Sequence, residues 1–202
     1  MQVPSSGHIF ILVGAGGSGK TTLIRAVLER YPEVRFMPTT TTRPPREGER
    51  NGREYFFVND DEFERMRNDG ELLEWAQIHG HLYGTSKTRI RQLLDSDRIG
   101  ITSLDYQGAF AVKAAFPERS TTIFVHPLTI SELRERLVNR HDTAEPDIER
   151  RLARAVEESA QAKRCDHDLL NATGKLPEAL EGLLAIMEST LGREALAAAR
   201  GS

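Results

Sequence analysis

The sequence has a single cysteine, Cys165, among its 202 residues. One cysteine excludes an intramolecular disulfide and is ordinary for a protein of a reducing compartment. No apolar run approaches the ~18–20 residues that a membrane-spanning helix needs. The apolar run near the N-terminus, residues 9–13, is short and follows no basic segment, so we expect no signal peptide. These absences predict a cytoplasmic protein that does not engage a membrane.

The chain also lacks a strong charge of either sign. Its net charge is −3 and its isoelectric point is about 6.1, so it has no excess of positive charge with which to bind nucleic acid. Hydrophobic residues make up 39% and charged residues 28% of the chain, which is typical of a folded protein. We therefore expect a single domain over residues 1–202 and no nucleic-acid partner, with monomer and homo-oligomer both open.

Short apolar runs alternate with helical patterns along the chain. Residues 8–13 form a continuous apolar run, which is typical of a strand buried in a parallel sheet. Similar runs predict strands at 99–104, 121–125 and 168–170, and a stretch with helical spacing follows each of them. This order predicts an α/β fold with a core in which helices flank a parallel sheet.

Two stretches interrupt this alternation. Residues 38–90 contain aromatic strands and a short helix with a capping box at Asn59 and Glu62, which predicts a small mixed α+β insertion. Residues 127–160 contain two charged helices around a polar loop, which predicts a helical lid. The predicted core consists of residues 1–37, 91–126 and 161–202.

A glycine-rich loop follows the first predicted strand and precedes a predicted helix. It matches the pattern G-x-x-x-x-G-K-[ST] in the setting that the pattern requires. The matching residues are Gly14, Ala15, Gly16, Gly17, Ser18, Gly19, Lys20 and Thr21. In such a loop backbone N–H groups surround an anion, the lysine reaches the β- and γ-phosphates, and the next hydroxyl binds Mg²⁺. The sequence therefore predicts a P-loop for a nucleoside triphosphate, with Thr21 as a ligand of Mg²⁺.

The stretch TTTTRPPREGERNGREYFF, residues 39–57, contains two arginines stiffened by prolines. Arg43 and Arg46 offer planar forks of donors, and the hydroxyl of Tyr55 is a third donor close by in sequence. A phosphoryl acceptor that is itself a phosphate ester needs such donors, because its negative charges must be held still for in-line attack. The P-loop and the arginine pair together predict a kinase whose second substrate carries a phosphate.

These segments resemble the guanylate kinase family. The resemblance rests on GAGGSGKTTL, TTRPPREGERNGREYFFVNDDEFERM, ELLEWAQIHGHLYGTSK, LDYQG and the RRL of the predicted lid, which together span nearly the whole chain. Members of this family are P-loop kinases that transfer the γ-phosphate of ATP to GMP with Mg²⁺, using a core, a GMP-binding insertion and a lid. The resemblance implies the same three parts and the same substrates for this chain.

The family's site residues carry over onto matching positions. For GMP the resemblance implies Thr39, Arg43, Arg46, Tyr55, Glu74, Tyr83, Thr85 and Asp105. For ATP it implies residues 14–21 of the P-loop together with Thr22, Arg140, Arg151 and Asn171. As catalytic residues it implies Lys20, Arg43, Arg140 and Arg151. Glu74 would accept hydrogen bonds from guanine N1–H and the 2-amino group, a donor pair that adenine lacks.

The chain departs from the family pattern in two places that bear on function. Ser103 stands where the family has an aspartate at the end of a core strand, two residues before the position of Asp105. The predicted lid also has an altered motif, Arg140-His141-Asp142. Together these departures leave open a related kinase that acts on another purine monophosphate or phosphate ester. The other alternative is a catalytically inactive interaction domain of the same fold, although such domains typically lose the P-loop that this chain retains.

Overall fold

The computed structural model describes residues 7–78, 80–139 and 145–200. The strands in these ranges are β1 (His8–Val13), β2 (Arg35–Phe36), β3 (Thr40–Thr41), β4 (Phe56–Phe57), β5 (Leu72–Ile78), β6 (His81–Ser86), β7 (Ile99–Ser103), β8 (Ser120–His126) and β9 (His167–Leu170). The α-helices are α1 (Lys20–Arg30), α2 (Asp60–Asn68), α3 (Lys87–Asp95), α4 (Tyr106–Ala115), α5 (Ile130–Val138), α6 (Glu145–Ser159), α7 (Leu176–Leu191) and α8 (Arg193–Ala198).

Five of the described strands form a parallel sheet in the order β2-β7-β1-β8-β9. The central strand β1 is buried along its whole length, because helices cover both faces of the sheet. Side chains of a strand alternate between faces: Phe10 and Leu12 pack with α1 and α7, whereas Ile9 and Ile11 pack with α3 and α4. The predicted parallel sheet flanked by helices is confirmed.

A second, smaller sheet has the strand order β4-β3-β6-β5. Strand β6 pairs antiparallel with both β3 and β5, while β3 and β4 run parallel. The adjoining helix α2 begins as predicted, because the side chain of Asn59 accepts a hydrogen bond from the backbone N–H of Glu62 over 2.7 Å. These elements lie within residues 38–90 and form the mixed α+β arrangement expected there.

Strands β2 and β3 and helix α3 were not predicted from the sequence. Strand β2 is only two residues long and has no periodic pattern that could reveal it. Helix α3 begins after Ser86, whose side chain caps its first turn, and it runs across the predicted boundary at residue 90. Its residues Ile90 and Leu94 are buried in the core layer below β1, so the helix packs with the parallel sheet.

Helices α5 and α6 pack against each other through Leu133, Leu137, Ile148 and Leu152. The same apolar cluster includes Ala15 of the glycine-rich loop, so these helices are in direct contact with that loop. In the ranges that the structure describes, no helix is both long enough and apolar enough to cross a bilayer.

Candidate active site

The glycine-rich loop lies at the carboxyl end of the central strand β1, where α/β proteins commonly bind their ligands. Gly14, Gly17 and Gly19 have φ angles of 137°, 97° and 93°, which side-chain-bearing residues rarely adopt. A Cβ at Gly14 would lie 2.3 Å from the backbone oxygen of Val125, so the loop also needs glycine there for space. Gly19 caps α1 without a side-chain hydrogen bond, which leaves the first N–H groups of the helix for an anion.

The side chain of Lys20 folds back over this loop. Its ammonium group donates hydrogen bonds to the carbonyl oxygens of Gly14, at 2.5 Å, and Ala15, at 2.9 Å. Thr21 and Thr22 follow in the first turn of α1, and both are exposed. The residues predicted to bind phosphate and Mg²⁺ therefore lie together at one edge of the parallel sheet.

Asn171 is hydrogen-bonded to the backbone of the glycine-rich loop. It follows β9, is only 5% exposed, and its side-chain amide donates a hydrogen bond to the backbone oxygen of Ser18 over 2.8 Å. The guanidinium of Arg136 donates to the backbone oxygen of Asn171 over 2.6 Å and to the hydroxyl of Thr173 over 3.0 Å. Asn171 and Arg136 thus join the segment after β9 to the glycine-rich loop and to α5.

Arg43, one of the two arginines predicted to bind phosphate, is paired with Glu49. Its Nη2 atom lies 2.9 Å from each carboxylate oxygen of Glu49, and the backbone N–H of Arg46 donates to the same carboxylate over 2.7 Å. The guanidinium also lies over the rings of Tyr55 and Phe57, with 5.2 Å and 5.6 Å to their centroids. Arg43 is therefore fixed in direction, whereas the side chain of Arg46 is exposed.

The carboxylate of Glu49 is ionised despite being partly buried. Burial acts to raise the pKa of Glu49, but the N–H of Arg46 and the guanidinium of Arg43 outweigh it and hold the pKa below its usual value. The neighbouring phenol of Tyr55 has a pKa raised by burial, and its ring meets that of Tyr83 edge-on at 6.0 Å. The hydroxyl of Tyr55 thus stays protonated beside Arg43, and the ring of Tyr83 packs against it.

Glu74 and Thr85 are cross-strand partners in β5 and β6. The hydroxyl of Thr85 donates a hydrogen bond to Oε1 of Glu74 over 2.6 Å. Burial raises the pKa of Glu74 above its usual value and the charge of Asp105 adds to this, while the hydrogen bond from Thr85 opposes it. Asp105 itself caps α4, accepting the N–H of Gly108 over 2.8 Å. Glu74 is therefore a desolvated acceptor whose second oxygen has no hydrogen bond in the described part of the chain.

Thr39, the remaining residue predicted for the base, lies beside this group. It lines a small cavity between the two sheets together with Thr85, Arg89 and Thr102. The guanidinium of Arg89 donates to the hydroxyl of Thr40 over 2.8 Å and lies 3.6 Å from the ring centroid of Phe56, so it ties α3 to the smaller sheet.

Of the two arginines predicted for the lid, the structure describes Arg151. Arg151 lies on α6 and is partly buried. Arg140 lies outside the described residues. That both arginines bind ATP and act in catalysis remains a prediction.

Sequence reasoning overlooked three residues that shape the site. Glu49 lies three residues after Arg46, a spacing at which a carboxylate can accept a hydrogen bond from a preceding backbone N–H. This spacing was the feature of the sequence that could have indicated the contact. Arg136 lies in one of the two charged helices predicted for residues 127–160, where nothing in the sequence distinguishes it from its charged neighbours. Gly108 ends the LDYQG segment, but nothing near it in the sequence indicates its contact with Glu74, because Glu74 is distant in the chain.

The architecture and the glycine-rich loop together define the class of P-loop kinases: the loop-bearing strand is central to a parallel sheet, and helices pack over the loop. The family model for guanylate kinase matches residues 6–190. A guanylate kinase from Thiobacillus denitrificans is 44% identical over 190 residues, which cover 94% of this chain and 90% of that protein. A guanylate kinase from Bordetella pertussis is 43% identical over 171 residues, covering 85% of this chain and 79% of that protein.

A solved structure shows the same likeness in three dimensions. The crystal structure of guanylate kinase from Anaplasma phagocytophilum superposes with a TM-score of 0.73 at 26% identity, covering 96% of this chain and 92% of that one. The chain belongs to the guanylate kinase family.

Proposed function

We propose that this chain transfers the γ-phosphate of ATP to GMP, forming ADP and GDP, with the residue roles given below. The observation that carries the proposal lies on β6. Tyr83 and Thr85 are two residues apart in this strand and so share one face of the sheet. Tyr83 lies beside Tyr55 and the paired Arg43, while Thr85 binds Glu74. One sheet face thus presents anion-binding donors at one end and a buried carboxylate at the other, as a purine monophosphate requires.

The phosphate of GMP binds to Arg43, Arg46, Tyr55 and Tyr83. Hydrogen bonds between such charged donors and a phosphate contribute roughly 1.5–3 kcal/mol each. Arg43 is ordered in advance by Glu49, which lowers the entropy that is lost when the phosphate arrives.

The guanine base is recognised by Glu74, with Thr39, Thr85 and Asp105 completing the pocket. An ionised carboxylate accepts hydrogen bonds from guanine N1–H and the 2-amino group. Adenine lacks this pair of donors and would leave the buried carboxylate without partners. Sites that depend on such bonds reject the wrong ligand by roughly 10⁴-fold or more.

On the ATP side, the backbone N–H groups of residues 14–19 hold the phosphates, and Lys20 reaches the β- and γ-phosphates. Thr22 and Asn171 complete the site, Asn171 acting through the backbone of Ser18. Arg140 and Arg151 neutralise charge on the phosphoryl group in transit. No side chain needs to act as a nucleophile, because the acceptor phosphate is already an anion and catalysis consists of positioning and charge stabilisation.

Mg²⁺ fits this site as an ion that arrives with ATP. Thr21 presents an exposed hydroxyl in the first turn of α1, and the described residues contain no cluster of His, Cys, Asp or Glu that could hold a metal. Mg²⁺ commonly keeps several waters and binds through substrate phosphates with only one or two protein groups. When bound, the ion neutralises charge on the β- and γ-phosphates. Thr21 is its protein ligand in this proposal.

Three parts of the chain have separate roles in the proposed reaction. The core (1–37, 91–126 and 161–202) holds ATP, the insertion (38–90) holds GMP, and the lid (127–160) covers the transferred group. Closure of the insertion and the lid excludes water and so suppresses ATP hydrolysis. We place the reaction in the cytoplasm.

Steady-state ADP formation with Mg-ATP and a panel of acceptors tests the proposal. The panel contains GMP, dGMP, IMP, AMP, CMP and UMP. The expected result is a kcat/KM for GMP at least ~10³-fold above that for AMP. Equal use of AMP, or no turnover of GMP beyond ATP hydrolysis, would refute it. A Ser103→Asp variant run in parallel should require less Mg²⁺ for half-maximal rate, because a carboxylate there can order the waters of the ion.

A further inference from the structure

The first turn of α4 contains a glycine that lies against the carboxylate of Glu74. Gly108 is the third residue of this helix, which begins at Tyr106 after the cap Asp105. A Cβ added to Gly108 would lie 2.9 Å from Oε1 of Glu74, 3.2 Å from its Cδ and 3.4 Å from Oδ1 of Asp105. A methyl carbon does not come this close to an oxygen in a relaxed structure, so the two groups compete for the same space.

Backbone geometry does not explain the glycine at this position. The φ angle of Gly108 is not among the positive values found at other glycines, so any L-residue could adopt its conformation. Glycine is also poorly suited to a helix, where alanine is the most favourable residue. The remaining reason for glycine here is the space that it leaves beside Glu74.

An added methyl group would displace the atoms that recognise the base. The atoms in its way are the ends of the Glu74 and Asp105 side chains, and no backbone atom is among the nearest contacts. The Glu74 side chain can rotate away at little cost to the fold. Such a rotation would, however, move the carboxylate off the guanine edge and break its hydrogen bond with Thr85.

We propose that Gly108 is a positioning residue that determines guanine specificity: it leaves the space in which the Glu74 carboxylate lies against the first turn of α4. This inference rests on the proposed function, since it takes guanine to be the ligand of Glu74. The helix N-terminus favours a carboxylate at this place, because its partial positive charge offsets part of the burial. Glu74 is on the smaller sheet and Gly108 is on a core helix, so the contact also joins the insertion to the core where the base is bound.

The test compares Gly108→Ala with a matched control, Gly182→Ala. Gly182 lies within α7, and a Cβ there would lie 2.9 Å from a methyl group of Leu169, a residue with no role in the proposed GMP site. Both variants thus gain helix propensity, and in each the closest approach of the new Cβ is to one flexible side chain, Glu74 or Leu169. Calorimetry gives the Kd of each protein for GMP and IMP, and thermal unfolding gives the Tm. IMP lacks the 2-amino group, so it can donate only its N1–H to Glu74.

For Gly108→Ala we expect a Kd for GMP raised about tenfold or more, a smaller rise for IMP, and a Tm close to that of the wild type, because the gain in helix propensity offsets the lost hydrogen bond between Thr85 and Glu74. The preference for GMP over IMP should therefore shrink, while Gly182→Ala keeps both affinities. An unchanged GMP-to-IMP ratio in Gly108→Ala would overturn the inference, as would a fall in Tm together with loss of ATP binding. If wild-type protein does not distinguish GMP from IMP or AMP, it is the proposed function that fails.

Discussion

The guanidinium of Arg43 is held by the carboxylate of Glu49 through two contacts of 2.9 Å from one nitrogen atom. Their side chains are only 11% and 18% exposed, so this pair is shielded from solvent far more than an ordinary surface ion pair. The same carboxylate binds the backbone of Arg46. One acidic residue thus orients the loop that carries both arginines proposed to bind the phosphate of GMP.

The Arg43–Glu49 pair should contribute measurably to stability. A double-mutant cycle with Arg43→Gln and Glu49→Gln is expected to give a coupling energy of about 1–3 kcal/mol, because a shielded, doubly hydrogen-bonded ion pair is broken. The control is the pair Arg193–Glu188, whose arginine side chain is 88% exposed and which should show no measurable coupling. Equal coupling in both cycles, measured by denaturant unfolding, would show that Arg43 is not specially held.

The affinity for GMP should depend on pH through Glu74. Burial raises the pKa of this carboxylate, and only its ionised form accepts both guanine donors. The KM for GMP should therefore rise as the pH falls, starting at a higher pH than for an ordinary glutamate. In Thr85→Val the hydrogen bond that favours ionisation is gone, so the rise should begin at a still higher pH.

The phosphate of GMP also titrates, but its contribution to the pH dependence of the KM is the same for wild type and Thr85→Val. A difference between the two pH profiles therefore comes from the carboxylate of Glu74. Coincident pH profiles for the KM of GMP in the two proteins would show that the carboxylate of Glu74 does not govern binding. The KM for ATP serves as the internal control and should be the same in both.

Replacing Asn171 should weaken the binding of ATP and leave the binding of GMP unchanged. Replacing it with alanine removes the hydrogen bond to the buried loop at Ser18, which should cost about 1–3 kcal/mol of stability. The KM for ATP should rise several-fold because the loop is less ordered. Asn171→Asp has nearly the same shape but places an oxygen against the Ser18 carbonyl, so its effect should be larger. A change confined to the KM for GMP, measured by initial rates, would contradict this role.

Stability should fall in mild acid because of His8. This residue is 7% exposed and bonded to Thr121 over 2.8 Å. Burial, with help from the charges of Lys113 and Arg119 and against that of Asp166, lowers its pKa from 6.5 to about 4. Between pH 6.5 and 4 the His8 side chain is therefore protonated in the unfolded chain and neutral in the folded chain. The free energy of unfolding decreases as the pH falls through this window.

Over that window the loss attributable to His8 is about 3 kcal/mol. Carboxylates titrate in the same range, so the measurement is the difference between wild type and His8→Gln in unfolding free energy at several pH values. The variant should show a flatter profile. Parallel profiles would mean that His8 takes up its proton in the folded protein as readily as in the unfolded one.

The sequence predicted most of the parallel sheet and the P-loop because both depend on local signals. A strand covered on both faces, such as β1, is a continuous apolar run, and the loop needs glycines at fixed positions. Strands β2 and β3 and helix α3 were missed: the two strands are too short for any period, and the helix adjoins a segment rich in aromatic strands. The contacts Arg43–Glu49 and Glu74–Gly108 could not be predicted, since each depends on how a loop or a sheet folds back in space.

The most direct test of the central claim is to follow the transferred group itself. ATP carrying a radioactive label on its γ-phosphate is incubated with the protein, Mg²⁺ and either GMP or AMP, and the products are separated by chromatography. We expect labelled GDP from GMP and almost no labelled ADP from AMP. Label released as inorganic phosphate, or transferred equally to AMP, would contradict it.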